Sequence, residues 1–144
     1  MTYIHAPADK VFDAITRPDL ARRYWGHENV SDWQPGSAWE HIRANDERTV
    51  ELVGKVIEVD PPKRLVISWA NASQAADPAS YSRVSFDIVE YDDMVRLTVT
   101  HDDLIADSGM ARGVSKGWPI VLSSLKSFVE TGRGLDIFAK PKAA

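Results

Sequence analysis

The sequence predicts an α+β fold in which an antiparallel sheet packs against one long C-terminal helix. From Glu28 to His101, apolar side chains mostly alternate with polar ones, which is typical of strands with one buried face. Between Trp118 and Val129 the apolar side chains instead recur every three or four residues, which places them on one stripe of a helix. Hairpin turns join the strands and helical segments flank them, so we expect an antiparallel sheet of about six to seven strands.

The N-terminal segment predicts one short strand followed by two short helices. We expect the strand at residues 2–5 and the first helix at residues 6–16. Pro7 lies in the first turn of this helix, where the backbone N–H that proline lacks would have no helical partner. A second helix is expected from Pro18 or Asp19 to about Tyr24. Both helices therefore precede the main part of the sheet.

The central segment predicts a series of hairpins. We expect paired strands at residues 29–33 and 37–43, a strand with Leu65, Ile67 and Trp69 facing inward, and a clear hairpin of residues 82–91 and 95–101. The strand at residues 49–59 differs, because it carries apolar side chains on both faces. This pattern predicts that both of its faces are covered for part of its length.

The C-terminal segment predicts a loop or a helical start at residues 102–113 and then a helix at residues 116–132. Pro119 lies inside this helix, where it removes one backbone hydrogen bond, so we expect a bend. Trp118 lies at the bend and is expected to border a pocket, whereas Phe128 and Val129 are expected to pack in the core.

Composition excludes several functional classes. The chain has 144 residues, a formal net charge of -4 and no cysteine, so disulfides, thiolate metal sites and a cysteine nucleophile are excluded. No cluster of Lys and Arg forms a basic stripe, which argues against a nucleic-acid partner. No apolar run is long enough to span a membrane, and the first residues lack the features of a secretory signal. We therefore expect one domain at residues 1–144 with a cytoplasmic location.

Several stretches together resemble a known family. They are residues 4–16 (IHAPADKVFDAIT), 24–25 (YW), 59–65 (VDPPKRL), 82–86 (SRVSF), 97–101 (LTVTH), 117–119 (GWP) and 130–132 (ETG). In this order they are similar to bacterial proteins that resemble the C-terminal domain of the activator of heat-shock protein 90 ATPase, in the START-like or SRPBCC superfamily. The resemblance implies a helix-grip fold: a curved antiparallel sheet wrapped around a long C-terminal helix, with a cavity between them.

Two departures from the family pattern stand out. The first strand begins almost at Met1, so it is either clipped or continues from an upstream start. The chaperone activator resembles this chain only in its C-terminal half, so we expect no partner domain of the kind that would accompany chaperone activation. A chaperone partner is therefore not expected.

The aromatic side chains are the main indication of function. Under the helix-grip interpretation a set of residues faces the helix or the cavity mouth, and such a wall is typical of a small-molecule site. The residues expected to bind a ligand are Trp25, Trp39, Trp69, Phe86, His101, Trp118 and Leu122. Our leading hypothesis is a non-enzymatic module that binds an apolar, lipid-like or aromatic molecule. The alternative is that the same rings simply fill the core.

His101 is the candidate polar group, because it ends an inward-facing series of side chains. His101 could donate a hydrogen bond to a ligand or, in a cyclase- or aromatase-like enzyme, act as an acid or base. The alternative is a buried histidine that is bonded to the backbone. His5 and His27 are expected to be solvated. No metal-ligand cluster, phosphate loop or serine elbow is present, so we expect no metal and no cofactor. A protein-interaction module and a homodimer stay open as further alternatives.

Overall fold

The computed structural model describes residues 1–142 and shows seven strands and three α-helices within them. The elements are β1 (Thr2–Ile4), α1 (Ala8–Thr16), α2 (Pro18–Trp25), β2 (His27–Val30), β3 (Ala38–Arg43), β4 (Val50–Asp60), β5 (Arg64–Asn71), β6 (Ser82–Glu90), β7 (Val95–Asp102) and α3 (Gly109–Thr131). Two short 3-10 turns, Ala72–Gln74 and Pro78–Ser80, lie between β5 and β6. The predicted α+β class is thus confirmed.

The seven strands form one antiparallel sheet in the order β1-β7-β6-β5-β4-β3-β2. Strands β2 to β7 follow one another as neighbours, which is the arrangement that short hairpin connections produce. β1 pairs with β7, for example through Thr2 and Leu97, so the start of the chain lies beside the last strand. The sheet surface carrying Trp69, Val84 and Phe86 is buried against the helices.

The two short N-terminal helices lie where the sequence predicts them. The buried face of α1 includes Val11, Phe12 and Ile15, which the helical period places together. α2 begins directly at Pro18 and ends at Gly26, whose φ of 69° lies in the left-handed region that favours glycine. Trp25, the last residue of α2, therefore lies on the inner side of the sheet.

The last helix is longer than the sequence predicts. It begins at Gly109 rather than near residue 116, and the hydroxyl oxygen of Ser108 caps it by accepting a hydrogen bond from the Ala111 N–H at 3.0 Å. The helix continues through Pro119 and ends at Gly132, which has a φ of 84°. Its buried side chains all lie in the second half: Val121, Leu122, Ser124, Leu125, Phe128 and Val129.

β4 contains a bulge that explains its two apolar faces. Val56 pairs with Ile67 while Glu58 pairs with Val66, so Ile57 is an extra residue. The bulge turns Val59 back toward the core, where it packs partly buried, and leaves Ile57 45% exposed. The prediction that both faces of this strand are covered is therefore wrong at Ile57.

Candidate functional site

Four rings from four different elements meet between the sheet and α3. Trp25 comes from the end of α2, His41 from β3, Trp69 from β5 and Trp118 from α3. Their ring centroids are separated by 4.7 Å (Trp25 to His41), 6.0 Å (His41 to Trp69), 5.5 Å (Trp69 to Trp118) and 5.7 Å (Trp118 to Trp25). These contacts form a closed cycle, which we call the aromatic cycle.

The aromatic cycle borders a cavity of about 160 Å³. The residues that line it are Trp25, His41, Leu52, Trp69, Gly113, Val114, Gly117, Trp118 and Val121. Among these lining residues, His41 alone has a side chain that can take a charge, by protonation of its ring. Gly113 and Gly117 form the helical wall on successive turns of α3, and a Cβ atom at either position would meet no other atom within 4 Å. At Gly113 and Gly117, α3 therefore presents backbone atoms to the cavity, and a larger side chain at either position would occupy part of the cavity volume.

The protonation state of His41 follows from its hydrogen bonds. Its Nδ1 lies 2.6 Å from the side-chain oxygen Oδ1 of Asn29, whose Nδ2 donates to the Ile15 carbonyl at 2.8 Å. That second bond fixes the orientation of the Asn29 amide, so Nδ1 of His41 must donate. Burial, and secondarily the electrostatic influence of the neighbouring His27, hold the pKa of His41 well below its usual range. The ring is therefore neutral with a lone pair on Nε2, and Nε2 makes no hydrogen bond within residues 1–142.

His27 is buried rather than solvated, so that prediction is wrong. It is 6% exposed and stacks in parallel on His41, with ring centroids 4.3 Å apart. Its Nδ1 lies 3.0 Å from the Trp25 carbonyl and its Nε2 lies 2.8 Å from Glu51. Sequence reasoning missed this because β2 begins at His27, directly after the Gly26 turn. His27 thus supports the far side of the His41 ring.

Trp69 has an unpaired polar group. It is 5% exposed, and its indole Nε1 is fully buried with no hydrogen-bond partner in the described part of the chain. Buried donors are normally paired, because leaving one unpaired costs roughly 1–3 kcal/mol. The unpaired Trp69 N–H therefore carries this free-energy penalty in the structure.

His101 belongs to a chain of hydrogen bonds beside the cavity. Trp118 Nε1 donates to Nδ1 of His101 at 3.1 Å, and Nε2 of His101 lies 2.7 Å from the hydroxyl of Ser82. The Ser82 hydroxyl in turn donates to the Trp69 carbonyl at 3.2 Å. Burial lowers the pKa of His101 to about 4, against a smaller opposing effect of Asp102. Both ring nitrogens are thus engaged with protein groups.

The structure brings together only part of the sequence-predicted set. Trp25, Trp69 and Trp118 line the cavity. Phe86 lies in the core and contacts the Trp118 ring edge-on at 5.9 Å, and Leu122 is buried in the core. Trp39 is buried with its ring 5.5 Å from that of Trp69, and it lines a separate depression that lies partly over β4. His101 lies behind Trp118, outside the cavity lining.

Sequence reasoning missed His41 as a lining residue, although a usable signal was present. His41 follows Trp39 by two residues on β3, so both share one face of the strand. Val114, Gly113 and Gly117 were missed because the start of α3 was placed too late.

Among residues 1–142, no group of three His, Asp or Glu side chains could hold a metal ion. No helix in the same residues is long and apolar enough to cross a membrane.

Comparison with protein families gives one match over most of the chain. Residues 5–130 match the family described as Activator of Hsp90 ATPase homolog 1-like protein. A search of curated proteins returned no match.

Solved structures share the fold at low sequence identity. The Aha1 dimer from Colwellia psychrerythraea is 22% identical, with a TM-score of 0.74 over 92% of this chain and 95% of that one. The protein MLL2253 from Mesorhizobium loti is 26% identical, with a TM-score of 0.72 over 89% and 93%. CalU16 from Micromonospora echinospora is 24% identical, with a TM-score of 0.68 over 91% and 74%.

Proposed function

The chain belongs to the family of Activator of Hsp90 ATPase homolog 1-like proteins, and on that premise we propose that it binds a small, largely apolar molecule between the sheet and α3. The observation that carries the proposal is the cavity beside the aromatic cycle. Three indole rings and the side chains of Leu52, Val114 and Val121 give it an apolar wall. A concave apolar site with few polar groups is the usual form of a small-molecule site.

The size of the cavity limits the ligand. Its volume is about 160 Å³, and apolar cavities of about 150 Å³ in other proteins bind benzene-sized molecules. A compact ring or a short branched chain therefore fits better than a long acyl chain. For a ligand of this size we expect weak binding, because affinity is limited to roughly 1.5 kcal/mol per non-hydrogen atom at best.

Within this proposal the sequence-predicted residues take different roles. Trp25, Trp69 and Trp118 contact the ligand, whereas Trp39, Phe86 and Leu122 pack around these rings or in the core beside them. His101 acts on the ligand through Trp118, because its Nδ1 accepts the indole hydrogen bond and thereby orients that ring. A direct contact of His101 with the ligand would require Trp118 to move.

The test is a titration of the protein with small aromatic compounds, in which the change in tryptophan fluorescence is measured. We expect saturable quenching with benzene-sized compounds. Gly117→Leu places a side chain at the cavity wall and should abolish the quenching. Gly109→Leu is the matched control, since Gly109 lies two turns earlier on α3, outside the cavity lining, and has equally open surroundings. The proposal fails if no compound binds, or if both variants behave alike.

The alternative functions have less support. A cyclase-like enzyme would need His101 as its acid or base, and that ring must first release Trp118 or Ser82. The related protein from Colwellia psychrerythraea is a dimer, and self-association of this chain stays a prediction that light scattering can check. A chaperone-associated interaction module has no specific contact surface in its favour among the described residues.

A further inference from the structure

Two hydrogen-bond acceptors face the two ring nitrogens of His27. Nδ1 lies 3.0 Å from the Trp25 carbonyl oxygen, and Nε2 lies 2.8 Å from a carboxylate oxygen of Glu51. A carbonyl oxygen and an ionised carboxylate accept hydrogen bonds but cannot donate them, so each ring nitrogen must carry a hydrogen. We infer that His27 is held as the doubly protonated, positively charged ring, and that in this form it positions Trp25 and His41 in the wall of the cavity.

The inference rests on the proposed function, because Trp25 and His41 line the same cavity. It goes further by naming a residue outside the lining, His27, and the proton on which ligand binding depends.

The surroundings of His27 favour the charged ring. Glu51 also pairs with Arg43 through its other carboxylate oxygen, with Nε of Arg43 at 2.8 Å, and this pairing keeps the carboxylate ionised. His27 directly follows the C-terminal end of α2, where the last carbonyl groups need donors and the helix dipole favours a cation. Arg43 itself repels a charged His27, but its guanidinium is half-exposed and is paired with Glu51.

The titratable and charged groups that pack against His27 come from two strands. β3 contributes His41 and Arg43, and β4 contributes Glu51. The neighbouring α2 presents the Trp25 carbonyl, and the segment after α3 presents the uncharged ring of Phe138, with its centroid 6.4 Å away. His41 is neutral, because its Nδ1 donates to Asn29 and burial holds its pKa well below its usual range. Glu51 is thus the counter-ion of His27.

The charged ring is joined to two lining residues at once. Its Nδ1 donates to the main-chain carbonyl of Trp25, and its face stacks on His41 with ring centroids 4.3 Å apart and an interplanar angle of 6°. The rings of Trp25 and His41 in turn meet edge-on at 4.7 Å. These three contacts form a triangle, and its third corner, His27, does not line the cavity. His27 is therefore a positioning residue.

Removing one proton from His27 disrupts this triangle. A neutral ring has a hydrogen on one nitrogen and a lone pair on the other, and that lone pair would face an oxygen atom at 3.0 Å or 2.8 Å. The ring must then give up either the Trp25 carbonyl or Glu51, and either change shifts the ring that stacks on His41. We therefore expect ligand affinity to fall as the pH rises.

The first test examines the ring directly and needs no ligand. In nitrogen-15 spectra of the full chain at about pH 7, where an ordinary histidine is mostly neutral, both ring nitrogens of His27 should appear as N–H nitrogens. Loss of these signals in His27→Phe identifies them. His41 and His101 are internal references, because their hydrogen bonds define neutral rings with one lone-pair nitrogen each. A lone-pair nitrogen on His27 would overturn the inference and leave the proposed function standing.

The second test uses Glu51→Gln to separate the proton from the contact. The glutamine amide N–H can donate to Nε2, so a neutral His27 would satisfy both of its neighbours and keep its position. Wild-type affinity for fluorobenzene, measured by fluorine NMR titration, should fall about tenfold between about pH 6 and about pH 9, because a charge-assisted hydrogen bond is lost. Glu51→Gln should bind like the wild type at about pH 6 and change by less than about twofold over this range.

Glu58→Gln is the matched control for the second test. Glu58 lies on the same strand as Glu51, is half-exposed and pairs with Arg64 at 3.1 Å, so this variant should keep the wild-type pH dependence. Equal pH dependence in Glu51→Gln and the wild type would overturn the inference, as would wild-type affinity that does not change with pH. If the wild type fails to bind fluorobenzene at either pH, both the proposed function and the positioning role of His27 are refuted.

Discussion

The indole Nε1 of Trp118 donates a hydrogen bond to Nδ1 of His101 at 3.1 Å, and this contact defines the form of the histidine. Since Nδ1 accepts, the ring hydrogen is on Nε2, where it is donated to the Ser82 hydroxyl at 2.7 Å. A proton added to Nδ1 would bring two N–H groups face to face. The pair therefore links α3 to β6 and β7 most strongly when His101 is neutral.

The first prediction concerns pH. Burial holds the pKa of folded His101 at about 4, whereas in the unfolded chain it titrates near about 6.5. The unfolded state thus binds the extra proton between these values, so the His101 contribution to stability is lost progressively as the pH falls from about 6.5 to about 4. Urea unfolding measured across this range should show a steeper fall of the unfolding free energy for the wild type than for His101→Gln. Parallel curves for the two proteins would contradict the assignment.

The second prediction concerns Ser124, which is completely buried. Its hydroxyl donates to the Tyr24 carbonyl at 2.7 Å and accepts from the Leu135 N–H at 2.9 Å. Ser124→Ala leaves both backbone groups without this partner, so we expect the unfolding free energy to fall by about 1–3 kcal/mol.

The neighbouring Ser123 is a matched control for this change. It is exposed and its hydroxyl bonds only to the Pro119 carbonyl of its own helix. Ser123→Ala should change the unfolding free energy by less than about 0.5 kcal/mol. Denaturant unfolding of both variants gives the comparison. A similar loss of unfolding free energy in the two variants would contradict a stabilising role for the hydrogen bond from Ser124 to α2.

The third prediction concerns Gly54 on β4. The indole of Trp39 crosses this position to donate to the Ser68 carbonyl at 2.7 Å, so a Cβ at residue 54 would lie 1.9 Å from that carbonyl oxygen and 2.4 Å from Trp39 Nε1. Gly54→Ala must displace the ring or the strand, and we expect a loss of about 1–3 kcal/mol or more. Thermal unfolding checks this, and a melting temperature equal to that of the wild type would contradict the close approach.

The fourth prediction is a stabilising change at Gly113. This residue lies inside α3, and a Cβ there would meet no other atom within 4 Å. Gly113→Ala should therefore raise the unfolding free energy by about 0.5–1 kcal/mol, because alanine loses less backbone entropy in a helix. Circular dichroism melting of the variant measures the gain. A lower melting temperature would mean that α3 needs glycine flexibility at this turn.

Local patterns were enough to predict most of the fold. Alternation in residues 82–101 and the helical stripe from Trp118 to Val129 depend on neighbouring residues only, and the structure confirms the antiparallel sheet and the long helix. The bulge at Ile57 could not be read in this way, because a single extra residue shifts the inward face without leaving any turn signal. The first turns of α3 were missed because Gly109, Gly113 and Gly117 have low helix propensity.

The sequence by itself determined the α+β class, the family and three of the residues that line the cavity, since period and motif are properties of the chain alone. Tertiary structure decided the rest of the site. The stacking of His27 on His41, the unpaired Trp69 N–H and the engagement of His101 by Trp118 all depend on contacts between groups far apart in the sequence. Which polar group is paired and which is free depends on distances of a few ångströms, and only the folded chain sets those distances.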